Sequence, residues 1–218
     1  MIQVKICGIT KLEDALCAAE NGVAAVGFIF HSSSPRFIDP LKANDIINEL
    51  PDNLVKVGVF VNEAAEEVKR IYDDCRLDMI QLHGDESPAY CRHFPKGRVI
   101  KALALKNEQD LKKAALYSVD AILLDSRHAG LYGGTGKTID WNLAAQVSRP
   151  MILSGGLKEE NVMDALQKVH PAALDINSGV ESSPGEKDHV KIARIMRIIH
   201  DDTAGGKTPR IFTQREKI

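Results

Sequence analysis

A short apolar run, a turn built from Gly, Ser, Pro or Asp, and a stretch with helical spacing recur about eight times along this chain of 218 residues. The apolar runs occupy 3–6, 24–30, 54–61, 78–82, 98–103, 121–125, 151–154 and 172–176. Some, such as Ala121-Ile122-Leu123-Leu124, are apolar throughout, the pattern of a parallel strand covered on both faces. Between the runs, Leu12, Ala15, Leu16 and Ala19 keep helical spacing, and Gly22 stands where a helix C-terminal cap belongs. Comparable segments cover 40–50, 64–75, 86–94, 108–117, 140–147, 159–169 and 189–200. Eight units of about 27 residues fill the chain and leave no room for a second domain. The expected fold is α/β, a single-domain (β/α)8 TIM barrel over 1–202, because closing the sheet removes its edges. An open doubly wound sheet is the alternative that the period alone does not separate. Residues 203–218, with Gly205-Gly206, Pro209 and scattered charge, read as a mobile C-terminal tail outside the repeat.

Charge and cysteine content narrow the function classes. With 28 Lys+Arg against 30 Asp+Glu the formal charge is -2, so no global field draws the chain to nucleic acid, and an anionic ligand needs a local site. The longest apolar stretch, 22–30, is too short to cross a bilayer, so no membrane partner is expected. Cys7, Cys17, Cys75 and Cys91 lie at irregular spacing without a C-x-x-C pair, and there is no signal-peptide pattern. That usage reads as reduced thiols in a cytoplasmic protein. No His/Cys/Asp group has metal-ligand spacing, so no metal is expected. A monomer is the default, because no long apolar stripe is left for a partner.

A barrel restricts the search for chemistry to the C-terminal strand ends and the loops that follow them. Gly155-Gly156 after the seventh run and Ser178-Gly179 after the eighth could converge their backbone N–H groups on one phosphate; tight turns are the plain reading of either pair alone. Gly133-Gly134-Thr135-Gly136-Lys137-Thr138 resembles the end of a nucleotide-binding loop, but that pattern requires glycine where this chain has Leu131. The cluster reads as a lid or turn near the ligand. Cys7 and Asp125 end strands on facing sides of a barrel and are the candidates for proton transfer. A thiol needs a nearby cation or helix N-terminus to serve as a base at neutral pH, and Lys5, two residues back, points to the same side. Asp125 follows an apolar wall that favours the protonated acid, against a plain capping role. Arg36 follows Pro35 on a loop, where its planar fork suits a ligand carboxylate or a surface ion pair. His83 reads as a substrate contact or as a structural histidine.

Taken in order, Lys5-Ile6-Cys7-Gly8-Ile9-Thr10, Phe28 with Ser34-Pro35-Arg36, Gly58-Val59-Phe60-Val61-Asn62, Gln81-Leu82-His83-Gly84, Leu123-Leu124-Asp125, Gly134-Thr135-Gly136, Leu153-Ser154-Gly155-Gly156-Leu157 and Asp175-Ile176-Asn177-Ser178-Gly179-Val180-Glu181 resemble the phosphoribosylanthranilate isomerase family. The resemblance runs from residue 3 to about 200, leaving the tail outside it. It implies a (β/α)8 barrel that acts without a cofactor in tryptophan biosynthesis. The implied reaction is an Amadori rearrangement of N-(5'-phosphoribosyl)anthranilate to 1-(o-carboxyphenylamino)-1-deoxyribulose 5-phosphate. It further implies Cys7 as general base, Asp125 as general acid and Arg36 as contact to the anthranilate carboxylate. Gly155, Gly156, Ser178 and Gly179 become the phosphate cradle, and Asp175 a substrate contact. The competing readings are another phosphate-binding barrel enzyme, such as a sugar-phosphate epimerase or indole-glycerol-phosphate synthase, and a catalytically silent phosphometabolite binder. Epimerases need paired carboxylates or a metal and the synthase uses lysines, whereas a silent binder should have lost the acid or the base.

Overall fold

The structure, a computed structural model, describes residues 2–125, 139–202 and 209–215. Eight strands run parallel: β1 (Gln3–Cys7), β2 (Ala25–Ile29), β3 (Val55–Phe60), β4 (Met79–Leu82), β5 (Val99–Ala104), β6 (Ala121–Asp125), β7 (Met151–Leu153) and β8 (Ala173–Ile176). They close in sequence order, and the seam pairs Gln3 with Ala173 and Ile6 with Ile176. The (β/α)8 barrel is therefore the fold, and the open sheet is excluded.

The helices between the strands are α1 (Leu12–Glu20), α2 (Pro40–Asn48), α3 (Ala65–Asp74), α4 (Pro88–Cys91), α5 (Glu108–Ala114), α6 (Trp141–Ala144), α7 (Val162–Val169) and α8 (His189–Asp202). Local chemistry sets their ends. Asp39 accepts from the Leu41 amide ahead of Pro40, and Asp140 accepts from the Asn142 and Leu143 amides, each cap stabilising by about 1 kcal/mol. Gly22 adopts φ +77, the left-handed turn that ends α1. Helices α4 and α6 are shorter than their spacing predicts because each tightens at once into i→i−3 bonds, as in His93 N to Tyr90 O and Val147 N to Ala144 O.

Two apolar layers follow from strand alternation. Side chains facing outward, such as Val26, Ile80, Leu124 and Leu174, are buried under the helices, while Val57, Met79, Ile100, Leu123 and Ile152 fill the barrel interior.

The interior is sealed at its N-terminal pole by the chain's own C-terminal segment. Ile211 and Phe212 are buried in the inner cluster. The Gln3 side chain holds them like a neighbouring strand: Oε1 accepts from the Ile211 and Phe212 amides at 2.7 and 2.9 Å, and Nε2 donates to Phe212 O at 3.0 Å. Asp78 accepts from the Arg215 amide at 2.7 Å, Arg98 donates to the Thr213 and Gln214 carbonyls, and the Arg215 guanidinium lies 4.8 Å from the Tyr72 ring centroid. Residues 209–215 are thus docked, where the sequence reading expects a tail free of the barrel. The physical reason is the Ile211-Phe212 pair, whose burial is worth about 2 kcal/mol per side chain.

Candidate active site

Strand parity builds the site. On β2, β4, β6, β7 and β8 the interior residues Ala25, Met79, Leu123, Ile152 and Ala173 fix the inward face. Stepping by two toward the C-terminal ends puts Gly27, Gln81, Asp125, Ser154 and Asp175 on that face, and His83 continues the β4 series. Lys5 and Cys7 join them from β1. A Cβ on Gly27 would lie 2.8 Å from Cys7 Sγ and 2.9 Å from Lys5 Nζ, so the bare glycine leaves the space in which thiol and ammonium meet.

Lys5 is fully buried, and its Nζ donates to Asp175 Oδ1 at 2.8 Å; Ser154 Oγ approaches Asp175 Oδ2 at 3.4 Å. Burial alone would lower the Lys5 pKa, but Asp175 and Cys7 outweigh it, so the ammonium is held charged. For Cys7 burial pushes the thiol up and the Asp175 charge adds to it. Lys5 and Lys187 pull the other way, and the net lies above the ordinary thiol value.

Across the mouth, Asp125 Oδ2 lies 3.1 Å from His83 Nε2, and His83 Nδ1 lies 2.8 Å from Gln81 Nε2. His83 thus links Gln81 to Asp125 through its two ring nitrogens. The structure therefore places His83 beside Asp125. The loop bearing His83 is braced by a buried pair absent from the sequence reading. Glu86 accepts from the Asn62 and Gly84 amides and from Lys101 Nζ at 2.8 Å, and Lys101 also donates to the Leu82 and Gly84 carbonyls.

Arg36 is buried in an ion pair rather than presenting an open fork. Its Nε donates to Glu181 Oε1 at 2.8 Å and its Nη2 to Oε2 at 2.7 Å. Glu181 opens a two-stranded hairpin, β9 (Glu181–Ser183) and β10 (Glu186–Lys187), that the eight-unit reading does not contain. Its signal was the Pro184-Gly185 turn, and Gly185 adopts φ +84.

The two glycine loops converge. Gly155 and Gly156 have φ of +89 and +63, and the Asn161 side chain braces the turn by donating to Gly156 O and accepting from the Lys158 amide. Ser178 and Gly179 lie in a 3-10 turn (Ser178–Val180). A Cβ on Gly179 would collide with Leu157 O, so the two loops touch at a spot only glycine can occupy. The expected lid at 133–138 lies outside the described residues.

Comparison with known proteins agrees with this geometry. A family model described as N-(5'phosphoribosyl)anthranilate (PRA) isomerase matches residues 4–197. The N-(5'-phosphoribosyl)anthranilate isomerase of Syntrophus aciditrophicus is 52% identical over 201 residues, covering 91% of this chain and 87% of the relative. A crystal structure of phosphoribosyl anthranilate isomerase in complex with reduced 1-(o-carboxyphenylamino)-1-deoxyribulose 5-phosphate superposes with a TM-score of 0.80 at 42% identity, over 90% of this chain and 97% of that one. Monomers generated from the dimeric enzyme of Thermotoga maritima give 0.81 at 42% identity, with coverage of 90% and 97%. The barrel, the order of its site residues and these matches make one statement: this chain belongs to the N-(5'-phosphoribosyl)anthranilate isomerase family.

Proposed function

We propose that the chain isomerises N-(5'-phosphoribosyl)anthranilate to 1-(o-carboxyphenylamino)-1-deoxyribulose 5-phosphate with Cys7 as base and Asp125 as acid. The observation that carries this reading is the placement of the two groups: both end strands, both face the interior, and β1 and β6 stand three places apart around the ring.

Asp125 gives a proton to the ribose ring oxygen as the C1–O bond breaks, leaving an iminium at C1. Its positive nitrogen acidifies the C2 hydrogen, and Cys7 thiolate removes that proton. The enolamine then tautomerises to the aminoketone: the Cys7 thiol returns its proton to C1 and the Asp125 carboxylate takes the proton of the C2 hydroxyl, so both groups are restored and the sum is an isomerisation. Each transfer by a placed side chain is worth about 10²–10⁴-fold. His83 holds Asp125 in position, and Lys5 supplies the positive charge beside the thiolate. The touching loops at Gly155, Gly156, Ser178 and Gly179 take the phosphate, Arg36 the anthranilate carboxylate, and Asp175 a ribose-derived hydroxyl. Anchors at both ends keep C2 near Cys7, which supplies orientation.

Four further readings go with the enzyme. It acts as a monomer, since the exposed large apolar side chains Phe37, Leu41, Leu116 and Val190 sit on separate elements. Its free Cys7, Cys17, Cys75 and Cys91 suit the reducing cytoplasm. Residues 1–202 form the catalytic domain. The chemistry described here proceeds without a cofactor.

The test is loss of phosphoribosylanthranilate fluorescence on adding purified protein, with Cys7→Ser alongside. Loss that depends on Cys7 is expected. A wild-type protein that leaves the fluorescence unchanged, or a Cys7→Ser variant that matches wild type, would overturn the reading.

A further inference from the structure

We infer that Glu181 is a specificity-determining positioning residue: through the β9–β10 hairpin it aims the guanidinium of Arg36 at the carboxylate end of the substrate. This rests on the reading of Arg36 as the carboxylate contact.

A guanidinium has two edges on which a carboxylate can sit, the side edge of Nε with Nη2 and the end edge of Nη1 with Nη2. Glu181 takes the side edge, with Nε to Oε1 at 2.8 Å and Nη2 to Oε2 at 2.7 Å. The end edge is not used by Glu181, and its direction is fixed by the occupied one. The stem is fixed as well, because a Cβ on Gly8 would lie 2.8 Å from Arg36 Cδ.

A carboxylate that only neutralised Arg36 would spoil the site for an anion. Here a second cation removes that conflict. Lys187, its side chain fully buried, donates to Glu181 Oε1 at 2.8 Å and to Asn177 Oδ1 at 3.0 Å. Arg36 and Lys187 against Glu181 leave one positive charge over, the charge a single ligand carboxylate cancels. Burial pushes the Glu181 carboxyl up, yet Arg36 and Lys187 outweigh it and hold it below the usual range, so the anion persists at neutral pH. The hairpin and α8 fix Glu181 in turn: the Gly185 amide donates to its Oε1 at 3.2 Å, and Lys191 Nζ on α8 donates to its carbonyl at 2.7 Å. Glu181 is bound on all sides by this chain and touches the substrate only through Arg36.

The experiment compares two substrates, N-(5'-phosphoribosyl)anthranilate and N-(5'-phosphoribosyl)aniline, which lacks the carboxylate. The quantity read is the ratio of their kcat/KM values, which is independent of the fraction of protein that is active. Arg36→Met should collapse the ratio toward one. Glu181→Gln, which keeps the size and removes the charge, should lower it about tenfold through KM for the anthranilate substrate, while kcat on the aniline substrate stays within about threefold. If Arg36→Met collapses the ratio and Glu181→Gln preserves it, the positioning role is wrong and the Arg36 reading stands. If Arg36→Met leaves the ratio unchanged, the Arg36 reading falls and takes this inference with it. Equal loss on both substrates in Glu181→Gln would mean a structural role and would overturn the inference.

Discussion

Lys5 and Asp175 form a buried ion pair, Nζ to Oδ1 2.8 Å, across the seam between the first and last barrel strands, and the same ammonium lowers the cost of a negative Cys7. Removing Lys5 should therefore do two things. Lys5→Met leaves Asp175 buried without its cation, which costs about 3–5 kcal/mol of stability. It also removes the charge that opposes the upward pull of burial on the thiol. A base acts in its deprotonated form, so the alkaline rise in kcat/KM should move to still higher pH. A pH profile of the variant that overlays the wild type would separate Lys5 from the base.

In the wild type the same logic predicts activity that climbs with pH above neutrality. The Cys7 thiol lies above its ordinary value, so the thiolate fraction grows through the alkaline range. A kcat/KM profile flat from pH 7 to 10 would argue that another group takes the C2 proton. Cys7→Ser should retain below about a tenth of wild-type kcat, since the hydroxyl is a far weaker base.

Asp125→Asn keeps the shape of the acid and removes its proton. Turnover should fall by about 10²–10⁴-fold. Binding of the reduced product analogue, followed by calorimetry, should stay close to wild type. Joint loss of binding and turnover would mean that Asp125 holds the mouth together rather than serving the reaction.

Gly27 has no functional group, yet it is expected to be among the most sensitive positions. Alanine there would bring a methyl to 2.8 Å from Cys7 Sγ and 2.9 Å from Lys5 Nζ. Both side chains must move apart, so kcat should drop at least about tenfold. Because the added group is one carbon, the melting temperature should fall by only a few degrees, a cost of about 1–3 kcal/mol for overpacking. Unchanged kcat would show that the thiol and the ammonium work at larger separation.

The docked C-terminal segment lies at the pole opposite the reacting groups, so its loss should separate stability from catalysis. Phe212→Ala should cost about 3 kcal/mol and lower Tm by about 10 °C, with kcat and KM unchanged. A calorimetric scan beside steady-state kinetics reads both. An unchanged Tm would mean that residues 209–215 only rest on the barrel.

The barrel was legible because its signal is repetitive: each strand is apolar over a few residues, and each helix carries its own start and stop. The ends of Cys7 and Asp125 on inward positions followed from the same period of two. What escaped was chemistry between distant residues. Nothing near Arg36 in the sequence announces Glu181, and nothing near Gln3 announces Phe212, because pairing across the closed ring brings together residues separated by 145 and 209 positions. Two buried lysines escaped for another reason. Lys101 and Lys187 look like ordinary surface charge until the carboxylate or carbonyls that hold each one are in view, whereas Lys5 was legible as the cation beside Cys7. The docked segment carried a local clue, Ile211-Phe212 among polar residues, which composition averaged away.

The grip of Gln3 on residues 211 and 212 also bears on the order of assembly. Strand β1 is made first, but its partner across the seam begins at Ala173 and its floor arrives only with Phe212. Contacts this far apart in the chain form slowly, because their loop entropy is spent before they give anything back. A half-barrel from β1 to β4 has two open edges, β1 waiting for β8 and β4 for β5, and in that interval it is a natural client for chaperones.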